Sequence, residues 1–416
     1  MKYPITPEYL QNVPEGLLGL YMDLEEDIIK KICESLAING EPNATALELI
    51  RQLQRRGMPL EEIQKKITKT LGISQKTLTQ ALNDAAARNN AYYGSAFDAL
   101  GIVQEEAQIE AMAEEVEAIT RQTKDALQNI TQSLGFGVRG SDGSITVSGV
   151  QATYQKILDR AEIRVLSSDC SYNVAIREGV RDMANSGLIG EWVEYRDEGG
   201  EVYHRNRVDV AVRRAVMTGV TQISGRYAEI AAENMETELF EVTAHTGARD
   251  KGEGWKNHKA WQGKVYSTRA GDKYPSIYAV CGLGEVDGLE GANCRHRRFP
   301  FIEGFSERTY TDEELKNIDP PPFKYKGREY SAYDAAQRQR QLETALRRVK
   351  RRLVAFKASG DAEAYQADAV RYRSLKEEYE DFSKAAGLKS KYFERATVPE
   401  FGPKEAREAD KQSAQK

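Results

Sequence analysis

The residues best suited to chemistry are histidines and a cysteine that lie in one part of the chain. Three of the four histidines of the sequence fall there beside a cysteine: His245, His258, His296 and Cys294. Imidazole nitrogen and thiolate sulfur are ligands that Zn²⁺ prefers. Cys294 and His296 are two positions apart, so both would point to the same side of an extended strand. These four residues are the candidate zinc ligands, with Cys281 as a substitute.

Two other interpretations of the same residues stay open. The histidines can hydrogen-bond to backbone groups while the aromatic side chains pack, and the sequence favours this interpretation because Cys-x-His is not a standard zinc-finger spacing. A catalytic pair would use Cys294 as nucleophile and His258 or His245 as base. No recognisable nucleophile elbow or oxyanion-hole sequence accompanies that pair.

The glycines after Cys281 are superficially similar to a phosphate-binding loop, in the order Gly282-Leu-Gly284-Glu-Val-Asp-Gly288. The third glycine comes one residue late and no helical pattern follows to direct its N-terminus at a phosphate. Nearby acidic side chains would also repel an anion. We therefore expect these glycines to form turns.

The elements that must position these residues follow from the spacing of apolar side chains. In residues 1–135, apolar side chains recur at helical spacing, which predicts a helical N-terminal region. A central α+β domain is expected at residues 150–305, with a helix from about Val208 to Asn234 and a buried strand from Leu239 to His245. Within this domain, residues 239–305 form a Gly-rich irregular module that carries the His/Cys/Trp motif. The expected fold class is α+β, predominantly helical and elongated.

Local signals predict the details of this central domain. Trp255, His258 and Gln262 would share one face of a short helix, and Gly263 would follow as its left-handed cap. A strand from Lys264 to Ser267 would come next. Farther upstream, two β-prone runs flank residues 197–200 and predict a hairpin there.

The C-terminal part is predicted to be a helical hairpin within residues 325–395. The segment from Ser331 to Ala386 has few helix breakers, and Gly360 marks the turn between its two arms. Residues 397–416 offer little to anchor them to a core, so we expect a disordered tail.

Basic residues before and within the first arm of this hairpin are candidates for contact with DNA phosphates or with a protein partner. A charged arm is more typical of a solvated helix face or a partner-binding surface, and few aromatic residues alternate with these charges for base stacking. The candidate residues are Arg295, Arg297, Arg298, Arg347, Arg348, Lys350, Arg351 and Arg352.

Composition excludes some classes of function. The 416 residues carry a formal net charge of -5, so the chain has no global basic field of the kind that drives nonspecific DNA binding. Neither an N-terminal signal sequence nor a stretch of the roughly 20 apolar residues needed to span a bilayer is evident. We expect a soluble protein made in a cytoplasm. Its four cysteines are too scattered for a disulfide framework.

The order of motifs in the module resembles the phage minor capsid protein 2 family, which is similar to the phage Mu F-like head morphogenesis proteins. The resemblance lies in Ala-His-x-Gly-Ala-Arg from Ala244, in Trp-x-x-His-x-x-Trp-Gln-Gly-Lys-Val-Tyr-Ser from Trp255, in Tyr-Pro-Ser from Tyr274, and in Asn-Cys-Arg-His from Asn293. It runs from near the N-terminus to about Arg395. The motif residues that we expect to be structural are Arg249, Trp255, Trp261, Gln262, Gly263, Gly288, Gly291 and Asn293.

The resemblance implies a minor structural protein of a tailed-phage or prophage head, and no enzyme. Its partners would be the portal protein and other head proteins, and its place would be the capsid interior or the portal vertex, after assembly in the host cytoplasm. It would act in head assembly, and in packaging or ejection of DNA. Two alternatives stay open: a DNA-binding module of the head, and a zinc-dependent or Cys/His enzyme.

Overall fold

The computed structural model describes residues 3–37, 45–140, 142–167, 171–190, 195–196, 202–204, 206–269, 271, 273–390 and 395–414. The helices are α1 (Pro7–Asn12), α2 (Glu15–Leu36), α3 (Ala46–Arg56), α4 (Leu60–Leu100), α5 (Glu106–Gln132), α6 (Val150–Leu166), α7 (Tyr172–Ser186), α8 (Val208–Asn234), α9 (His258–Trp261), α10 (Ile277–Cys281), α11 (Asp312–Lys316), α12 (Ala332–Ser359), α13 (Ala362–Ala385) and α14 (Pro403–Ser413). The strands are β1 (Gly135–Arg139), β2 (Ile145–Gly149), β3 (Leu188–Ile189), β4 (Tyr195–Arg196), β5 (Val202–His204), β6 (Leu239–Val242), β7 (Val265–Ser267), β8 (Arg298–Phe301), β9 (Phe323–Tyr325) and β10 (Arg328–Tyr330). The fold is predominantly helical α+β, as predicted.

The chain forms two compact units, and neither is a continuous stretch of sequence. Unit 1 contains residues 1–17, 74–127 and 212–337, and unit 2 contains residues 18–73, 128–211 and 338–416. The contiguous division predicted from the sequence does not coincide with these units. The long helix α4 contributes its first part to unit 2 and its second part to unit 1.

Unit 1 is built around a small antiparallel sheet in the order β7-β6-β8. Leu239 of β6 pairs with Ser267 of β7 on one side and with Phe301 of β8 on the other. The core beside it collects side chains that are distant in sequence: Tyr3, Tyr93, Phe97, Ala228, Phe240, Trp261, Tyr266, Ile277, Cys281, Cys294 and Phe299. The sheet and this core hold the segments that carry the candidate zinc ligands.

Unit 2 contains a second antiparallel sheet in the order β2-β1-β3. Residues 135–149 are rich in glycine and serine, which is typical of a loop, but β1 forms there and buries Phe136 and Val138. Glycine is required at Gly135, because a Cβ at this position would lie 2.4 Å from the carbonyl oxygen of Ser148 on β2. This glycine therefore permits the close pairing of β1 with β2.

Local helix signals agree well with the structure. Thr45 caps α3 and forms a capping box with Glu48. Gly360 has a φ of 75° between α12 and α13, and Asp361 caps the second of these helices. The predicted C-terminal helical hairpin is thus present, with its turn where the sequence placed it.

The C-terminal tail differs from our expectation of disorder at residues 397–416. Helix α14 forms there, and Val398, Phe401 and Ala409 are buried. The ring of Phe401 meets Tyr372 of α13 edge to face, with centroids 5.0 Å apart. Isolated apolar residues therefore anchor a segment whose composition is polar.

The predicted hairpin around residues 197–200 has its two strands, since β4 and β5 pair antiparallel. The connecting residues 197–201 lie outside the described residues.

Among the described helices, none is both long and apolar enough to cross a membrane.

Candidate metal centre

Two segments of unit 1 hold the candidate ligands beside the central strand β6. His258 begins the short helix α9, which leads through Gly263 into β7. Cys294 and His296 lie in the segment that leads into β8. Because β7 and β8 both pair with β6, the sheet determines where these two segments stand relative to each other.

Three of the four predicted ligands come together. The sulfur of Cys294 lies 3.8 Å from Nδ1 of His258 and 3.5 Å from Nδ1 of His296. One ligand atom from each residue can be chosen so that all three lie within 4.8 Å of one another. The side chains are almost closed to solvent, with exposed fractions of 3%, 3% and 1% for His258, Cys294 and His296.

Hydrogen bonds on the far side of each ring determine which nitrogen carries the proton. Nε2 of His258 lies 2.9 Å from the carbonyl oxygen of Asp287, which can only accept. Nε2 of His296 lies 3.1 Å from Oε1 of Gln262. That atom also accepts the backbone N–H of His245 at 3.0 Å, which identifies it as the amide oxygen. Both rings are therefore protonated on Nε2 and direct an unprotonated Nδ1 at the thiol.

Burial keeps these three groups neutral. Burial and then the neighbouring His245 lower the pKa of His296 well below its ordinary value, and burial also lowers the pKa of His258. Burial raises the pKa of the Cys294 thiol, although the charge of Arg297 opposes this effect. A buried neutral thiol of this kind is a poor nucleophile.

His245 and Cys281 do not belong to this group of three. The ring of His245 stacks on His296 with centroids 4.4 Å apart, while its Nδ1 lies 3.2 Å from a guanidinium nitrogen of Arg295. Burial and then Arg295 lower the pKa of His245 to about 4. Cys281 is buried nearby and is hydrogen-bonded to Tyr266.

Asp287 organises the other side of the module, although the sequence indicated only its negative charge. Its carbonyl oxygen accepts from Arg249 as well as from His258, and its carboxylate accepts the indole N–H of Trp255 at 3.1 Å. Trp255 lies in a separate 3₁₀ turn, so the prediction that it shares one helix face with His258 and Gln262 is wrong. The indole N–H of Trp261 donates to the carbonyl oxygen of Trp255.

The motif glycines allow close approach of backbone to backbone. A Cβ on Gly288 would lie 2.1 Å from the carbonyl oxygen of Gly282, and one on Gly291 would lie 2.4 Å from that of Val286. Gly263 has a φ of 71°, in the left-handed region that the sequence predicted for it. Asn293 has a φ of 62° directly before Cys294.

Most of the candidate DNA-contact residues are buried. Arg297, Arg298, Lys350, Arg351 and Arg352 have little exposed surface, and Arg348 is exposed. Three arginines of the basic arm pair with largely buried acidic side chains: Arg347 with Asp209, Arg351 with Glu25, and Arg352 with Asp368. Arg298 pairs with the half-exposed Glu229. Arg295 donates to Gln11. In this arrangement the five buried side chains cannot reach a phosphate backbone.

Comparisons with known proteins agree on one class of protein. The family model described as "Phage minor capsid protein 2" matches residues 5–384. A protein of Lactococcus phage LL-H named "Structural protein" is 26% identical over 199 residues, which are 45% of this chain and 48% of that protein. The chain thus spans about half the length of this relative. No solved structure matches the chain.

Proposed function

The chain belongs to the phage minor capsid protein 2 family, and from this premise we propose that it acts in head assembly of a tailed phage, at the capsid interior or portal vertex. It contacts the portal protein and other head proteins, and it supports packaging or ejection of DNA. The observation that carries this proposal is the family match over residues 5–384. The protein works by assembly and catalyses no reaction.

The closed candidate metal centre supports a structural role over a catalytic one. A nucleophilic cysteine needs an accessible thiolate and a base within reach of the substrate. Cys294 is 3% exposed, and burial raises the pKa of its thiol. These residues are therefore suited to holding the module together.

The inward ion pairs of the basic arm argue against the DNA-binding alternative. If DNA were bound through Arg347 to Arg352, these residues would first have to leave Asp209, Glu25 and Asp368. We expect little binding of duplex DNA in a mobility-shift titration at low salt. Binding that weakens steeply with added salt, and that the exposed Arg348 supports, would instead favour the DNA-binding alternative.

A nonsense mutation at the Gln64 codon in a phage that carries this gene tests the proposal. Purified wild-type virions should contain the protein in the head fraction after heads and tails are separated. The mutant should yield few infectious particles and few DNA-filled heads by electron microscopy, and a plasmid copy of the gene should restore both. Recovery of the protein only with tails, or normal yields of full heads without it, would contradict head assembly.

Cross-linking and mass spectrometry of the same virions test the location. We expect cross-links to the portal protein or to the inner surface of the major capsid protein. Cross-links confined to the outer capsid surface would contradict the proposed position.

A further inference from the structure

The hydrogen-bonding pattern at Cys294 leaves one acceptor without a donor. His258 and His296 both direct an unprotonated Nδ1 at the sulfur, because each donates its Nε2 proton to an oxygen on the far side. A thiol has one proton, so it can satisfy only one of these two nitrogens. A buried acceptor without a donor carries a desolvation cost. A cation between the three atoms would receive both nitrogen lone pairs and the sulfur together.

The distances fit a zinc ion. With Zn–S of about 2.3 Å and Zn–N of about 2.0–2.1 Å, tetrahedral angles place sulfur and nitrogen about 3.6 Å apart. The sulfur of Cys294 lies 3.8 Å from the nitrogen of His258 and 3.5 Å from that of His296. Both separations therefore match the tetrahedral spacing to within about 0.2 Å.

The surroundings of the rings also fit a metal site. Metal-ligating histidines almost always donate their other ring N–H to a carbonyl, carboxylate or water, which orients the ring. Here the acceptors are the backbone carbonyl of Asp287 and the side-chain amide of Gln262. Gln262 is itself held by the backbone N–H of His245. Each of the two histidine ligands thus already has a partner that orients its ring.

We propose that His258, Cys294 and His296 bind one Zn²⁺ ion. The ion links the helix α9 to the segment before β8, two parts of the module that are 36 residues apart in sequence at His258 and Cys294. This segment of the chain contains many turns and few long elements. The ion stabilises the folded module because it binds the assembled ligands and not the unfolded chain.

Metal analysis of the full-length protein tests this proposal. Protein purified from zinc-supplemented cells and dialysed should retain stoichiometric zinc by plasma mass spectrometry. Cys294→Ser and His296→Gln should lose it. Cys281→Ser and His245→Gln are the matched controls. The first changes a buried cysteine and the second a stacked histidine, both outside the group of three, so both variants should retain zinc. Wild-type protein without zinc, or a folded Cys294→Ser variant with undiminished zinc, would overturn the proposal.

A cobalt titration keeps the test valid if a ligand variant fails to fold. Chelator-treated wild-type protein should take up Co²⁺ and develop tetrahedral d–d bands with a thiolate-to-cobalt charge-transfer band. Added Zn²⁺ should remove both, and Gln262→Ala should weaken metal affinity by about 10–100-fold because it releases the ring of His296. A spectrum of six-coordinate cobalt without the thiolate band would contradict ligation by Cys294. These measurements use the isolated protein, so their outcome does not depend on the proposed role in head assembly.

Discussion

Arg352 and Arg371 both bind the carboxylate of Asp368, but the two ion pairs differ in their burial. Arg352 makes two hydrogen bonds to Asp368, and the exposed fractions of the two side chains are 10% and 1%. Arg371 approaches the same carboxylate from the surface, with 58% of its side chain exposed. Loss of one partner of a buried pair leaves an uncompensated charge, whereas surface pairs contribute little.

This contrast gives a prediction for two equivalent substitutions. Arg352→Met should lower the free energy of unfolding by about 3 kcal/mol, because Asp368 stays buried with weaker compensation. Arg371→Met should lower it by less than about 1 kcal/mol. Urea titrations followed by circular dichroism measure both values. Equal losses for the two variants would show that Arg352 is not the principal partner of Asp368.

At the scale of elements, glycines in long helices have two different roles. Gly94 in α4 has no atom within 4 Å of the place where a Cβ would lie. Gly219 in α8 would place a Cβ 2.7 Å from Oγ1 of Thr123 and 3.1 Å from Cδ2 of Leu82. The first glycine only weakens its helix, while the second permits α8 to pack closely against α4 and α5 within unit 1.

The same substitution should therefore have opposite effects at the two positions. Gly94→Ala should raise the free energy of unfolding by about 1 kcal/mol, since alanine has the higher helix propensity. Gly219→Ala should lower it by about 1–3 kcal/mol, because overpacking outweighs the gain in propensity. Thermal unfolding of the two variants and of the wild type shows whether each substitution raises or lowers the free energy of unfolding. Stabilisation by Gly219→Ala would contradict the close packing.

At the scale of the whole molecule, each unit is assembled from three stretches of chain. The core of unit 1 combines Tyr3 with Tyr93 from α4 and with Trp261 and Phe299 from the module. The ring of Tyr3 stacks on Phe299 with centroids 4.3 Å apart. The N-terminal region therefore completes a core that also contains Phe299, almost 300 positions after Tyr3 in the sequence.

The isolated fragment 1–135 should consequently fail to fold cooperatively. Its helices lack the apolar side chains of α8 and the module that bury Tyr93 and Phe97 in the full chain. We expect partial helicity and a shallow, non-sigmoidal urea transition by circular dichroism, in contrast to the full-length protein. A steep transition with a well-formed baseline would show that residues 1–135 are an autonomous domain.

Much of the secondary structure and the family could be predicted because the responsible signals are local. The helix Val208–Asn234 has the limits that apolar periodicity gave it, and the turn at Gly360 follows from one residue that tolerates positive φ. The motif around Trp255 and Cys294 identified the family, which the match over residues 5–384 confirms. These features depend on residues that are near one another in sequence.

Only the tertiary structure decided which polar groups meet. Glu25 and Arg351 are 326 positions apart and form a buried ion pair. The sequence favoured a solvated or partner-binding face for the basic arm, whereas this pair directs Arg351 into the interior. The sheet order β7-β6-β8 brings His258, Cys294 and His296 together and leaves His245 stacked at their side. Periodicity reports which face of an element is apolar, but the partner of a buried polar group depends on strand pairing and packing between distant segments.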